Sequence, residues 1–370
     1  MASSDLLTYL LPLYGRSKLT SRWLNYASRE SLSSPVYVAD GKPSDSPFIS
    51  PDYRLNFPNL RISYVEYCDT NIRDYFRKLY HALSTIKTPY VVLCDNDDFP
   101  CFDALLRCVN FLELNTSYSC AGGQVAGIHG PSSRIGSILR RFTYLPPCIS
   151  KFYIENYWYF CRNIDDESPF SRVHSQIIRP LSVYYYVHRT SVIKECYEFL
   201  SSLDVPMLVS ETVLNSFVAL SGKIRSDPEN LILVREVGTS LESGDLGNIK
   251  SLLSSPQLHS TLASVSSFLS SSLHATDPSA PVEVIQHECT LYHYTELFRR
   301  LKHSSKKSNS VFLGVRNLFL NPAFLIKIFW GSICYLFSLR IKSSMSASTS
   351  VRNRSSFNIK FFKRVSSYYK

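Results

Sequence analysis

The chain has ten cysteines, yet no two form a CxxC pair and no CxxC…CxxC spacing occurs, so the paired ligands of a structural zinc site are missing. There is no G-x-x-x-x-G-K-[ST] loop for a nucleoside triphosphate, no GxSxG elbow for an acyl nucleophile, and no cysteine with a recognisable histidine partner. His174, His188, His287 and His293 make no metal-binding spacing and read as core or surface residues. No internal repeat is sustained. The opening MASSDLLTYLLPLYGRSK lacks a basic flank before its apolar run and carries Asp5 at its edge, unlike a secretory signal. Lone thiols and no export signal read as a cytoplasmic protein with reduced, mostly buried cysteines.

Acidic residues are absent from one long stretch. Arg299 to Lys370 holds fifteen Lys and Arg with no Asp or Glu, which leaves 25 basic against 30 acidic side chains in the rest. The formal net charge of +10 is therefore a body near −5 and a tail of +15. A nucleic-acid enzyme spreads basic charge around its cleft, so this distribution argues against a nucleic-acid partner.

At 370 residues and 45% hydrophobic, the chain is able to bury a large core. Leu6–Leu13, Val36–Asp40, Arg61–Tyr67 and Tyr90–Cys94 read as strands, and Ser17–Ser28, Ile72–Leu83 and Phe102–Leu112 as helices between or after them. Repeated β then α predicts an α/β fold, a mainly parallel sheet flanked by helices. Later, Gly122, Gly123, Gly127 and Gly130 read as turns, and FYIENYWYF as an amphipathic surface. Ser182–Val187 reads as a strand, Ser191–Leu203 as a helix, Ser210–Gly222 as a helix from N-cap to stop, and Leu231–Val234 as a strand. Within the serine-rich 251–279, Leu258, Leu262, Val265, Leu269 and Leu273 keep a helical period.

Ligands of parallel sheets gather at the carboxyl ends of the strands, where Pro12–Arg16, Asp40–Asp45 and Asp95–Asp98 are expected to converge. In YVVLCDNDDFP, Asp95, Asp97 and Asp98 crowd three carboxylates at a strand end, a repulsive arrangement unless a cation compensates it. Hard oxygen ligands suit Mn2+ or Mg2+, which also bind diphosphate. The plainer reading is a solvated acidic turn or a helix cap.

LTYLLPLYGRSKLTSRWLNY, VYVADGKPSD and YVVLCDNDDF together resemble the successive signatures of nucleotide-sugar-dependent glycosyltransferases of the A-type fold, in particular the large inverting family with a DxD or DxDD turn. The resemblance covers about residues 5–115 and continues weakly to Gly238. It implies that Pro12 and Arg16 shape the nucleotide pocket, that Asp40 contacts the base, and that Asp95 and Asp97, with Asp98 able to replace either, address ribose and metal. ADGKPSD departs from the commonest pattern of a paired acid with Ser after Gly, which leaves the base open. LVSETVLNSFVALSGKI resembles the family's later acid-bearing helix and makes Glu211 the candidate base, although Thr212 stands where an Asp is usual. Such a carboxylate takes the acceptor's hydroxyl proton; the rival view is compensation of the helix dipole. Asp165, Asp166 and Glu167 are reserve bases, and Arg235 is a candidate for holding diphosphate or for a strand-end salt bridge.

Ala323–Leu339 is apolar, but at about 1.5 Å per residue it reaches only about 25 Å. Lys327, Gly331, Cys334, Ser338 and Lys342 fall on one stripe, which fits a helix lying in an anionic membrane surface. A buried helix, a true span and an RNA-binding tail are its alternatives.

The organisation expected is a catalytic domain over 1–240, with a nucleotide-sugar half to about 115 and an acceptor half beyond it, then a helical extension over 241–310 and a basic, aromatic tail over 311–370. The function expected is transfer of a sugar from a nucleoside-diphosphate donor, a UDP-sugar in the first instance, to a saccharide or lipid-linked acceptor. The setting is surface polysaccharide synthesis at the inner face of a membrane. A sugar nucleotidyltransferase and a noncatalytic membrane or nucleic-acid adaptor are the alternatives.

Overall fold

The computed structural model describes residues 3–129, 153–158, 161–237 and 256–290. The strands are β1 (Leu7–Leu13), β2 (Val36–Asp40), β3 (Ile62–Glu66), β4 (Tyr90–Leu93), β5 (Phe99–Pro100), β6 (Tyr118–His129), β7 (Tyr153–Trp158), β8 (Val187–Arg189) and β9 (Lys223–Val237). The helices are α1 (Ser17–Arg29), α2 (Ile72–Thr85), α3 (Phe102–Leu114), α4 (Pro169–Ile178), α5 (Thr190–Ser201), α6 (Met207–Ser221) and α7 (Pro256–Thr276), and a further helix runs over 282–290. All nine strands join one sheet in the order β3-β2-β1-β4-β8-β6-β9-β5, with β7 paired to β6.

The α/β expectation holds. β3, β2, β1 and β4 are parallel neighbours, with Leu13 beside Asp40 and Asp40 beside Glu66 at one end. β8 is antiparallel to both β4 and β6, so β6, and β9 parallel to it, run in the same sense as the first four. Crossover helices cover such strands on both faces, and β1, β2 and β4 are accordingly buried along nearly their whole length. The Phe102 ring of α3 packs 5.3 Å from Tyr9 of β1 and 5.3 Å from Tyr26 of α1, centroid to centroid, and so binds α1 and α3 to β1.

The second half departs from the sequence reading more widely: β7 and α4 were not foreseen, β9 begins at Lys223 rather than Leu231, and three further differences bear on the site. First, Gly122, Gly123 and Gly127 mark no turns but lie in the twelve-residue strand β6, while Gly130 lies outside the described residues. A Cβ on Gly122 would overlap the Tyr186 ring, and one on Gly123 would overlap the backbone of Asn230, so both glycines serve close approach within the sheet. Close to Gly123 the register slips, and residues 228–230 bulge out of β9. Second, residues 182–186 are no strand: Tyr184 and Tyr185 occupy a turn closed by Tyr186 N–H to Val183 O at 2.9 Å, and β8 begins only at Val187. Third, α6 starts at Met207 with Pro206 as its N-cap, four residues before the expected cap Ser210, whose hydroxyl bonds back to Met207 O. Pro206 fixes the entry because its ring suits the start of a helix and no N–H is lost there.

Two compact units are present. One comprises the described residues up to Glu167 together with 181–237; the other comprises 168–180 and 256–290. In the second, Leu258, Leu262, Val265, Leu269 and Leu273 are all buried, as their period predicts. His174 Nδ1 meets Glu288 Oε2 at 2.6 Å there, and this bond raises the imidazole's proton affinity. Among the described residues all eight cysteines are free, six of them buried. No helix among them is long and apolar enough to cross a membrane. The apolar segment 323–339 and the basic tail lie outside the described residues, as do the FYIENYWYF side chains.

Candidate active site

β1 ends at Leu13, and the chain then turns through Gly15 and Arg16 with φ of 68° and 66° before entering α1. Two successive left-handed residues, one of them not glycine, are held only when the surroundings fix them. Asp45 does so: its Oδ2 accepts the Arg16 N–H at 3.0 Å and would lie 2.5 Å from any Cβ on Gly15. The Arg16 guanidinium then reaches Asp97 Oδ2 at 2.6 Å. One residue thus ties together the three strand-end clusters singled out in the sequence, apart from Asp40 itself.

The acidic turn is held from one side by α1. Thr20 Oγ1 accepts from Asn96 Nδ2 at 3.0 Å, Arg22 donates to the Asp97 carbonyl at 3.0 Å, and the Tyr26 hydroxyl donates to Pro100 O at 2.5 Å. From the other side come the two tyrosines of the 183–186 turn. Tyr185 donates to Asp95 Oδ2 at 2.7 Å, and Tyr184 reaches Oδ1 at a longer 3.4 Å.

Asp95, Asp97 and Asp98 each present one oxygen within 4.8 Å of the other two. Asp98 is 1% exposed, and neither of its oxygens has a hydrogen-bond partner. Burial holds its carboxyl well above the usual range, the charges of Asp97 and Asp95 push it further, and Arg235 with the already committed Tyr185 offsets only part of this. Asp95 is raised for the same first reason, burial, and then by Asp97. A solvated acidic turn, the plainer reading, would not be buried in this way.

The residues present fit a hard divalent cation. Three carboxylates converge, each offering an oxygen within 4.8 Å of the other two, and one of them has two orphaned oxygens. Removing the orphaned carboxyl has an expected double effect. Asp98→Asn should stabilise the metal-free protein by about 1 kcal/mol, as relief of functional-site strain does, and weaken Mn2+ binding by more than about tenfold. Because the folded carboxyl is raised, its contribution to stability is fully present below the ordinary carboxylate range and is lost as pH rises through the folded value. Melts of the two proteins in chelator should therefore converge at low pH and separate as pH rises; parallel curves would show that Asp98 carries no such penalty.

Asp40, 1% exposed, closes β2 and is engaged locally: Oδ1 accepts from Lys42 N–H at 3.0 Å and Oδ2 from the Tyr64 hydroxyl at 3.2 Å. Pro12, half-buried, pairs with Ala39 in the same strand ends. Beneath Gly41 lies a pair that sequence reasoning missed. Lys78 Nζ, fully buried, donates to Leu13 O at 2.8 Å and to the Asp69 carboxylate. Burial raises the Asp69 carboxyl and lowers the Lys78 ammonium, each opposed by its partner.

Glu211 is half-buried in the second turn of α6, and no acidic residue occupies the first turn, so the dipole-compensation reading loses its position. Its charge and that of Asp95 act on the same two hydroxyls, Tyr75 and Tyr197, raising the proton affinity of both after burial has done so. The reserve acids Asp165, Asp166 and Glu167 are exposed, and Glu167 pairs with Lys223 at 2.5 Å. Arg235, at the far end of β9, lies close enough to favour the ionised forms of both Asp95 and Asp98. A cavity of about 250 Å³ is elsewhere, lined by Arg107, Arg225, Asp227 and Glu229 among others, with its charges balanced.

No protein-family model matches the chain, and no curated protein matches it. Solved structures do. Full-length S. aureus TarS is 15% identical with a TM-score of 0.42, covering 80% of this chain, which spans 49% of that one. TarS 1–349 in complex with UDP-GlcNAc is 14% identical with a TM-score of 0.43, over 81% of this chain and 91% of that one. The mannosyltransferase PcManGT from Pyrobaculum calidifontis, in complex with GDP-Man and Mn2+, is 13% identical with a TM-score of 0.43, over 93% and 88%.

Proposed function

We propose that this chain is a divalent-metal-dependent glycosyltransferase that moves a sugar from a nucleoside diphosphate, a UDP-sugar foremost, to a saccharide or lipid-linked acceptor with inversion. The observation that carries the reading is Asp98: an orphaned, buried carboxylate beside Asp95 and Asp97, at the carboxyl end of β4 in a parallel region of sheet. The residue pattern of 5–115 names the same class of enzyme. Residues 1–240 form the catalytic part in this reading.

Asp95, Asp97 and Asp98 would hold Mn2+ or Mg2+, whose charge neutralises the diphosphate as it leaves. Pro12, Arg16 and Asp40 border the nucleotide, with Asp40 toward the base and Asp95 toward the ribose. Arg16 and Arg235 supply positive charge at the phosphates. Glu211 takes the proton from the acceptor hydroxyl while that oxygen bonds to the anomeric carbon and the bond to the diphosphate oxygen breaks, so the sugar inverts. The setting is surface polysaccharide synthesis on the cytoplasmic face of a membrane, approached through the basic tail.

The test is a panel of nucleotide sugars titrated by calorimetry with and without Mn2+. One donor should bind only with the metal, and Asp97→Ala should abolish that binding. Metal-independent binding, or release of pyrophosphate from a nucleoside triphosphate, would overturn the reading, the latter in favour of a nucleotidyltransferase.

A further inference from the structure

The turn at 183–186 does more than contact the acids. Val183 N–H donates to Asn215 Oδ1 at 3.1 Å, which fastens the turn to α6, the helix of Glu211. The buried His188 donates from Nε2 to Val183 O at 2.8 Å, and the Tyr186 hydroxyl meets Ser226 Oγ at 2.5 Å on β9. Between those fixed points Tyr185 projects, its hydroxyl on Asp95 Oδ2 at 2.7 Å and its ring 5.9 Å from the guanidinium carbon of Arg235. Tyr185 is 8% exposed. Its hydroxyl therefore has little water to turn to. Asp95 in turn sits on a short loop with Asp98 N–H on its carbonyl at 3.3 Å, so its main chain is fixed and only its side chain needs aiming.

We infer that Tyr185 is a positioning residue that aims the Asp95 carboxylate into the cation site and holds Arg235 beside it. A carboxylate with one oxygen taken by a rigid donor keeps the other directed, and partners of this kind change metal affinity by about 10–100-fold when removed. Tyr184, at 3.4 Å from the opposite oxygen, is too distant to substitute. The inference rests on the cation reading above, and it predicts something that reading does not. Two tyrosines of one turn, both with short hydroxyl bonds, should behave differently toward metal because only one touches Asp95.

The experiment titrates the full-length chain with Mn2+ alone, following free metal by electron paramagnetic resonance, for the unaltered protein, Tyr185→Phe and Tyr186→Phe. Phenylalanine keeps each ring and removes one hydroxyl bond. The Tyr185→Phe protein should lose about tenfold in Mn2+ affinity, while Tyr186→Phe should stay within about twofold of the unaltered protein. Equal affinity for Tyr185→Phe and the unaltered protein overturns this inference and leaves the cation site standing. An equal loss in both variants overturns it too, by showing a general loosening of the turn. An unaltered protein that takes up no Mn2+ ends both readings together.

Discussion

Replacing Glu211 by glutamine is expected to leave donor binding within about twofold while lowering sugar transfer by about 10²–10⁴-fold, the range a positioned general base contributes. Glutamine matches glutamate in shape and keeps a hydrogen-bonding carbonyl, so the half-buried site on α6 is preserved and only the ability to take a proton is lost. The location makes this sharper than it was from sequence. With the helix opening at Met207, Glu211 lies one turn in, away from the exposed N–H groups that a compensating acid would face. The hydroxyls of Tyr75 and Tyr197 feel both its charge and that of Asp95, so the two carboxylates act on the same pair of tyrosines. Calorimetry with the bound donor, paired with donor-consumption rates in the presence of saccharide acceptors, separates the two effects. Asp166→Asn, on the exposed loop, serves as the comparison and should change neither. Undiminished transfer by Glu211→Gln would remove the residue from the mechanism and return attention to the reserve acids.

The first half of the fold was legible because each signal there is local. Apolar runs of four to seven residues, separated by helices with one buried stripe, place β1 to β4 and α1 to α3 to within about two residues, while the two-residue β5 gives no such signal. The acidic turn was legible for a related reason: three like charges in four positions are improbable unless something external compensates them. The second half depends on contacts that a linear reading does not contain. Gly122 and Gly123 look like turn residues, yet they are strand residues because Tyr186 and the bulge at Asn230 come in from elsewhere. The three tyrosines of SVYYYV have every propensity for a strand, but the demands of Asp95 and Ser226 on their hydroxyls hold them in a turn. Tyr185 was missed for that reason. Nothing in sequence spacing pairs it with a residue 90 positions away. Arg235 was read from sequence as holding diphosphate or a strand-end salt bridge, with no partner named, and its neighbourhood with Asp95 and Asp98 follows from β9 lying two strands beyond β8 in the sheet.

Lys78→Met is expected to destabilise the protein by about 3–5 kcal/mol, the usual result of stripping one partner from a buried ion pair. Lys78 and Asp69 are 0% and 4% exposed at their side chains, so the remaining Asp69 carboxylate would have no water to replace the ammonium. One of its oxygens already lacks a hydrogen bond. The pair also joins three strand ends. Lys78 holds the Leu13 carbonyl, the Asp69 N–H holds the Gly41 carbonyl, and Gly41 N–H holds Leu13 O. A Cβ on Gly41 would lie 2.6 Å from Lys78 Nζ, so no side chain other than hydrogen fits above the pair. Burial pushes both partners toward their neutral forms, and each partner's charge opposes that push. The double variant Lys78→Met with Asp69→Leu removes both buried charges and should recover most of the lost stability, because well-packed apolar groups commonly equal or exceed a buried pair. What it should not recover is the placement of Leu13 and Gly41, which border Arg16 and Asp40. Urea unfolding of the two variants measures the first effect, and donor titration the second. A single variant within about 1 kcal/mol of the unaltered protein would show that the pair is not buried as described, whereas full donor affinity in the double variant would show that the strand ends keep their positions without it.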